Sequence, residues 1–539
     1  MTPTSAFHVV GSPTGDIVRG SVTLADLIDE LARTRPDGAA VTDMNGTLTF
    51  SQLRAAAIRL AKALHAAGIR PGDSVGILMG NRAEWIVSCF AAQYLGATVV
   101  AVNTWYTRRE LGYVLSHADV RLLIMARTFL RSDYVAMLNS LRPWNTSLPS
   151  LQRVVVLEGA GDGMVGWDEF LASGDTVCDC EIAAMQAAVK PDDIALLLYT
   201  SGSTASPKGV RLAHWGLLKN CYDIGERQHL TENDVLLLPI SLFWGFGCSN
   251  AMLAALTHAT HIVLLEHFDA EAAVSLIERF RCTAIYGTAN ILQSLLDLPR
   301  LSERNISTLR TGLTFGSATL MREIVDRLAP DICHIFGFTE GYGNSTVTNA
   351  DDPIGKRLNS TGRVLPGSEL RIVDPATEQT LPSGQEGEIR VRGCIMAGYH
   401  KDPAATANAF DRDGFFRTGD LGALDEDGYL HFRGRLKEMI KTGGMNVSPA
   451  EVEEILRAHP CVREAFVTGL PDPAREEVVG AVIVLVDGVS FSADDLTAHC
   501  RASLSAFKVP RRFQSVSMDM LPLTTTLKIH RARLAELFE

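Results

Sequence analysis

The stretch YTSGSTASPKGV, residues 199–210, gathers six hydroxyl side chains, two glycines and one lysine, with no acid among them. These residue types hold phosphate. Glycine lets a backbone approach an anion closely. Backbone N–H groups, hydroxyls and the Lys208 ammonium can together cradle its oxygens. The spacing is not that of a Walker loop, because the GxxxxGK[ST] run is absent. Taken alone, such a loop is also compatible with a solvated surface turn, so the surrounding elements have to decide.

Those elements alternate. The apolar run IALLL, 194–198, delivers the chain into the loop as a buried strand. Upstream, SQLRAAAIRLAKALHAAG (51–68) has a serine start, helical apolar spacing and a glycine stop. DSVGILM then reads as a strand, NRAEWIVSCFAAQYLG as a helix and ATVVAVN as another strand. This alternation continues to about residue 430 and predicts an α/β fold with mixed, largely parallel sheets covered by helices. Near residue 434 the texture changes. GRLKEMIKTGGMNV is short, polar and basic, and SPAEVEEILRAHP follows it. Ser448, Pro449 and Glu451 predict a capped helix with a capping box. Two strand-like runs, REAFVTGL and EVVGAVIVLV, come next, and a second capped helix begins at SADDLTAHCRASL. The expected domains are therefore 1–434, a large N-terminal body, and 435–539, a small α+β C-terminal domain.

Bulk properties fit this picture. At 539 residues the chain exceeds a single core. Hydrophobic residues make up 46% and charged residues 21%, ordinary for a soluble globular protein. The net charge of −12 argues against a dedicated nucleic-acid binder while leaving room for a local basic pocket. The N-terminal residues show no secretory pattern. The long uncharged stretch 235–265 is broken by Pro239, Ser241, Asn250 and His258, so it reads as a buried strand–loop–helix segment rather than a membrane span. The ten cysteines include no CxxC pair; Cys178 and Cys180 form a lone CxC, and reduced thiols in a cytoplasmic protein are expected.

Four further motifs follow the loop in order: FGFTEGYG (336–343), TGDLG (418–422), GRLKEMIKTGGMNVSPAEVE (434–453) and LPLTTTLKIHR (521–531). With the loop, they resemble the adenylate-forming superfamily of acyl-CoA synthetases, adenylation domains and luciferases, over nearly the whole chain. The resemblance implies that ATP converts a carboxylate into an acyl adenylate with loss of pyrophosphate, and that a nucleophile, usually coenzyme A, then takes the acyl group. It also implies site residues. Thr200, Ser201, Gly202, Ser203, Thr204 and Lys208 would hold the β- and γ-phosphates. Phe336 and Gly337 would border adenine, with Phe336 where the family usually has tyrosine. Thr339 would touch the α-phosphate, and Glu340 would bind Mg²⁺. Asp420, helped by Arg435, would accept both ribose hydroxyls, as an acceptor-only carboxylate suits a diol. Lys528 would bridge the carboxylate and the α-phosphate. The small domain would be mobile about Lys437, exchanging Lys528 for the segment Lys441, Gly443 and Gly444 along the pantetheine path.

Three positions depart from the family pattern. Ala205 stands where glycine is common, Leu527 replaces the usual glycine before the lysine, and Trp244 occupies a position where many relatives carry histidine. Trp244, with Gly245 and Phe246, is expected to shape the acid pocket; Gly316, Ser317 and Ala318 in TFGSATL would form another wall. The aspartate that pairs with a substrate ammonium in amino-acid-activating domains is missing. The expected function is an acid–CoA ligase acting on a small-molecule acid. The alternatives are a diazotase-like activation of nitrite for an aromatic amine, or transfer to a carrier protein.

Overall fold

A computed structural model describes residues 8–10, 21–200, 207–442, 445–473, 475–490, 492–523 and 529–538. The chain forms two compact units, one of residues 9–370 and 391–416, the other built chiefly from 371–390 and the residues from 417 onward.

Two sheets dominate the larger unit. One has eight strands in the order Val165–Gly166, Arg153–Val156, Val120–Met125, Ser74–Leu78, Thr98–Ala101, Ile194–Thr200, Lys208–Ala213 and Gly398–Tyr399. The first six run parallel to their neighbours and the last two antiparallel. The other has nine strands, with six parallel ones (Asp331–Phe336, Thr311–Thr314, Ala284–Tyr286, Val235–Leu238, His261–Leu264 and Ala39–Asp43) flanked by antiparallel pieces. Ser74–Leu78 and Thr98–Ala101 are buried at every residue, which explains why they are unbroken apolar runs rather than alternating ones. The helix Ala83–Tyr94 is buried continuously from Trp85, as its all-round apolar sequence requires. Ligands of such sheets gather outside the carboxyl ends of the strands. Ile194–Thr200 and Asp331–Phe336 each end there in one of the motifs singled out above.

In the smaller unit, Val462–Asp472 and Glu476–Leu485 make a long antiparallel hairpin, with Arg512–Ser515 parallel to its second strand. Val452 and Leu456 of the helix Pro449–Arg457 and Leu496 of the helix Ala493–Ser503 share a core with Val467 and Ile483 of the hairpin.

Local details differ from expectation in three places. The helix expected at 51–68 starts at Phe50, with Thr49 as its cap and Gln52 completing a capping box. Ser448 does precede the helix Pro449–Arg457, but its hydroxyl donates to the Arg433 carbonyl at 2.6 Å, and Glu451 pairs with Lys508 instead of closing a capping box. A tertiary acceptor outcompetes the local cap. Eight cysteines are buried free thiols, whereas Cys178 and Cys180 are joined as a disulfide, contrary to the expectation of reduced thiols throughout. The uncharged stretch 235–265 folds as a strand, a π-helical turn, a short helix and a second strand. Among the described residues, no helix is long and apolar enough to cross a membrane.

Buried imidazoles make stability pH-dependent. Burial pushes His214 and His334 down from 6.5 to about 4. Each accepts a backbone hydrogen bond, from Leu24 N–H (3.2 Å) and Gly316 N–H (3.3 Å), which only the neutral ring can do. Above pH 6.5 both folded and unfolded chains hold these rings neutral. Between pH 6.5 and 4 the unfolded chain takes up protons that the folded one refuses, so stability falls on acidification. At 1.36 kcal/mol per pH unit the cost reaches about 3 kcal/mol for each ring. Melting curves recorded from pH 7 to pH 4.5 should show a falling transition temperature that starts well above the carboxylate range; a flat profile down to pH 5 would contradict these assignments.

Candidate functional site

Ile194–Thr200 and Lys208–Ala213, the strands on either side of the hydroxyl-rich segment, pair antiparallel with Thr200 opposite Lys208. Ser201, Gly202, Ser203 and Thr204 lie outside the described residues. The strand ends are braced on several sides. Tyr199 Oη lies 2.8 Å from His117 Nδ1, and the Tyr113 hydroxyl donates to the Pro207 carbonyl at 3.2 Å. The His400 N–H donates to the Gly209 carbonyl at 2.7 Å. The flanking strand ends are therefore held in place.

Beyond Phe336, the neighbouring sheet leads into the motif carrying Thr339 and Glu340. Gly337 has no space for a side chain: a Cβ there would lie 2.0 Å from the Gly343 carbonyl oxygen. Thr339–Gly341 forms a single 3₁₀ turn. The Met396 N–H donates to the Glu340 carbonyl at 2.7 Å, and the Tyr399 hydroxyl donates to Glu340 Oε1 at 2.7 Å. Lys208 Nζ lies 4.9 Å from the centroid of the same Tyr399 ring. Burial, and then the Glu340 carboxylate, raise the Tyr399 pKa, so its hydroxyl remains a donor. Phe336 is 6% exposed and tilted against Phe338, which stacks in turn on Phe416 at 5.2 Å.

The turn is wedged from behind by Tyr342, which sits in the left-handed region at φ 61°. Its hydroxyl accepts from the Ala213 N–H at 3.2 Å. A Cβ on Gly216 would come within 2.2 Å of the Tyr342 ring. Gly216→Ala should therefore expel Tyr342 and shift the Thr339–Glu340 turn, lowering stability by about 1–3 kcal/mol through overpacking. Thermal melting and nucleotide-dependent turnover should both fall; unchanged values for both would contradict the wedge.

Of the residues expected to shape the acid pocket, Trp244 and Phe246 are partly exposed aromatics flanking Gly245. Trp244 meets Trp105 edge-on at 5.1 Å, and Phe243 packs against both. Phe246 contacts Tyr286 at 5.5 Å and Phe315 at 6.0 Å. A Cβ on Gly245 would lie 3.8 Å from Thr339 Oγ1, which places the aromatic wall beside the Thr339 turn. Gly316 follows Phe315 and donates to His334. Ser317 caps the helix Ala318–Arg327 through the Leu320 N–H at 3.2 Å.

The smaller unit carries the remaining candidates. Asp420 and Arg435 face each other on adjacent antiparallel strands, with Arg435 Nε 3.3 Å from Asp420 Oδ1. The carboxylate is buried while the guanidinium is 65% exposed. Lys437 is exposed on a single 3₁₀ turn. The Lys441 N–H donates to Glu477 Oε2 at 2.7 Å. Gly443, Gly444 and Lys528 lie outside the described residues.

Within the larger unit, an ammonium, a hydroxyl and a carboxylate with one oxygen engaged by the Tyr399 hydroxyl suit a metal-bound phosphate; the smaller unit by itself holds a buried acceptor-only aspartate. Sequence reasoning missed Tyr399, which sits 59 residues from Glu340 in a GY dipeptide that matches no motif. It also missed the contribution of Trp105 to the aromatic wall and that of His334 to the Gly316 turn; neither position carries a local signal.

The model of the AMP-binding enzyme family matches residues 28–400, and that of the AMP-binding enzyme C-terminal domain matches 451–528. The chain belongs to the AMP-binding enzyme family. Within it, the chain sits among the acyl-CoA synthetases. It is 36% identical to the 3-[(3aS,4S,7aS)-7a-methyl-1,5-dioxo-octahydro-1H-inden-4-yl]propanoyl:CoA ligase of Mycobacterium tuberculosis, across 96% of this chain and 99% of the relative. It is 35% identical to the acyl-CoA ligase SID4 of Ajellomyces capsulatus, across 91% and 86%. Among solved structures, the anthranilate CoA ligase AuaEII in complex with anthranoyl-AMP superposes with a TM-score of 0.86 at 29% identity, over 95% of this chain and 96% of that one. These likenesses are to carboxylate ligases and lend no support to a nitrite-activating diazotase.

Proposed function

We propose that this protein is an AMP-forming ligase that joins a carboxylic acid with an otherwise uncharged, largely apolar body to coenzyme A. The observation that carries the reading is the convergence of Lys208, Tyr399 and Glu340 at the strand ends, beside a wall of Trp105, Trp244, Phe246 and Phe315. In the first half-reaction, one carboxylate oxygen of the acid attacks the α-phosphorus of ATP. The bond to the β-phosphate bridging oxygen breaks, and pyrophosphate leaves. In the second, the thiolate of coenzyme A attacks the acyl carbonyl and AMP departs with the bridging oxygen.

Each residue has a role in this scheme. Thr200, Ser201, Gly202, Ser203, Thr204 and Lys208 neutralise the β- and γ-phosphates. Thr339 orients the α-phosphate, and Phe336 with Gly337 borders the base. Glu340 would hold Mg²⁺, which when bound would screen the phosphate oxygens that otherwise repel a carboxylate. Asp420 and Arg435 hold the ribose. Lys528 stabilises charge that grows at the α-phosphorus. The lid comprises 435–539, with Lys437 as its pivot, and Lys441, Gly443 and Gly444 guide the pantetheine arm in the second half-reaction. An aromatic wall favours burial of apolar acid bodies, at about 25 cal/mol per Å².

Pyrophosphate release measured with octanoate, benzoate and 3-phenylpropanoate, against phenylalanine and malonate, tests the reading. Turnover should be at least tenfold faster with the acids that carry no second charged group and should yield acyl-CoA. Preference for the amino acid or the diacid would overturn the assignment of the pocket.

A further inference from the structure

We infer that Tyr399 is a positioning residue that aims Glu340 and keeps its carboxylate apart from the Lys208 ammonium; the inference rests on the reading of Glu340 as the metal-binding carboxylate. Lys208 begins one strand, Glu340 sits on the 3₁₀ turn Thr339–Gly341, and the two carry opposite charges close to one ring. Left alone, such a pair tends to collapse into contact, because opposite charges a few ångströms apart in a partly desolvated site attract strongly. Contact would spend the carboxylate on lysine and the lysine on carboxylate, leaving neither for a phosphate or a cation. Among the described residues, no ion pair joins them. Tyr399 meets both: its hydroxyl donates to Glu340 Oε1 at 2.7 Å, and its face receives Lys208 Nζ at 4.9 Å. The ring offers the ammonium a neutral surface of negative quadrupole. Among the described residues, no hydrogen bond engages Oε2, which leaves that oxygen available to a cation.

The backbone makes this arrangement rigid. Tyr399 pairs with Val210 in the strand that begins at Lys208. The Tyr399 N–H donates to Thr406 Oγ1 at 2.9 Å, and Gly398, at φ 126°, brings the strand close against Thr406. From the same segment, the Met396 N–H fixes the Glu340 carbonyl. One short piece of chain thus holds the backbone and side chain of Glu340 and the ammonium of Lys208.

Two variants separate the two contacts. Tyr399→Phe keeps the ring and deletes only the hydrogen bond; Tyr399→Leu deletes both. The direct readout is binding of Mn²⁺ by electron paramagnetic resonance in the presence of the non-hydrolysable analogue α,β-methylene-ATP, with melting temperature recorded alongside. Tyr399→Phe should weaken Mn²⁺ binding about tenfold, with an unchanged melting temperature and a turnover defect that excess Mg²⁺ restores. Tyr399→Leu should in addition weaken binding of the metal-free analogue, because the freed lysine pairs with Glu340. Glu340→Gln serves as the reference. If Glu340→Gln weakens Mn²⁺ binding but Tyr399→Phe does not, the positioning role is overturned. If Glu340→Gln itself leaves Mn²⁺ binding intact, the metal reading of Glu340 fails, and the inference falls with it.

Discussion

Alanine in place of Lys528 should abolish most adenylate formation while sparing thioester formation. When the carboxylate attacks the α-phosphorus, negative charge accumulates on oxygens that no other candidate cation of the sequence motifs is assigned to meet, since Lys208 is committed to the β- and γ-phosphates. An ammonium about 4 Å from that charge, at an effective dielectric near 20, contributes about 4 kcal/mol. Acid-dependent pyrophosphate release should therefore fall by about 10²–10³-fold, the range typical of losing one preorganised electrostatic partner. The second half-reaction develops charge at the acyl carbonyl instead, so coenzyme A acylation from a synthetic adenylate should fall less than tenfold. Rapid-quench assays of the two half-reactions give the split directly; equal losses would remove Lys528 from its assigned step. The residue before it, Leu527, stands where relatives have glycine, and Leu527→Gly should change the adenylation rate without touching the thioester step.

The second large effect is expected at Asp420. Its carboxylate is buried, and Arg435, with Nε 3.3 Å from Oδ1, is mostly exposed. A buried acceptor of this kind is suited to a vicinal diol. Hydrogen bonds to a charged group contribute about 1.5–3 kcal/mol each, so losing two should lower kcat/KM for ATP by about 10²–10⁴-fold in Asp420→Ala. The distinguishing comparison uses 2′-deoxy-ATP. The parent enzyme should discriminate strongly against it, whereas the variant should treat ATP and 2′-deoxy-ATP alike. Retained discrimination in the variant would place the ribose elsewhere. Because Arg435 can be solvated where it stands, the variant should keep its melting temperature to within a few degrees.

Much of this molecule was legible because its elements announce themselves locally. The buried parallel strands at Ser74–Leu78 and Thr98–Ala101 are unbroken apolar runs, and the helix between them carries an all-round apolar sequence. The small-donor segment follows an apolar run directly, and the Asp420–Arg435 contact falls between two residues of separate motifs that pair across adjacent strands. What stayed hidden is non-local. The partner of Glu340 is a tyrosine 59 residues downstream, placed by an antiparallel strand of two residues that has no periodicity to read. The capping box expected at Ser448 and Glu451 is a local pattern overruled by the Arg433 carbonyl and Lys508, acceptor and donor that only the tertiary fold supplies. His334 illustrates the same limit: a histidine in a strand looks like any other until burial makes it the neutral acceptor for Gly316.

Isotope transfer tests the central claim most directly. With octanoate or benzoate carrying ¹⁸O in both carboxylate oxygens, in the presence of ATP, Mg²⁺ and coenzyme A, mass spectrometry of the products should find one ¹⁸O in the phosphate of AMP and one in the acyl-CoA carbonyl. Unlabelled AMP, or label recovered in inorganic phosphate alongside ADP, would show that the carboxylate never attacks the α-phosphorus.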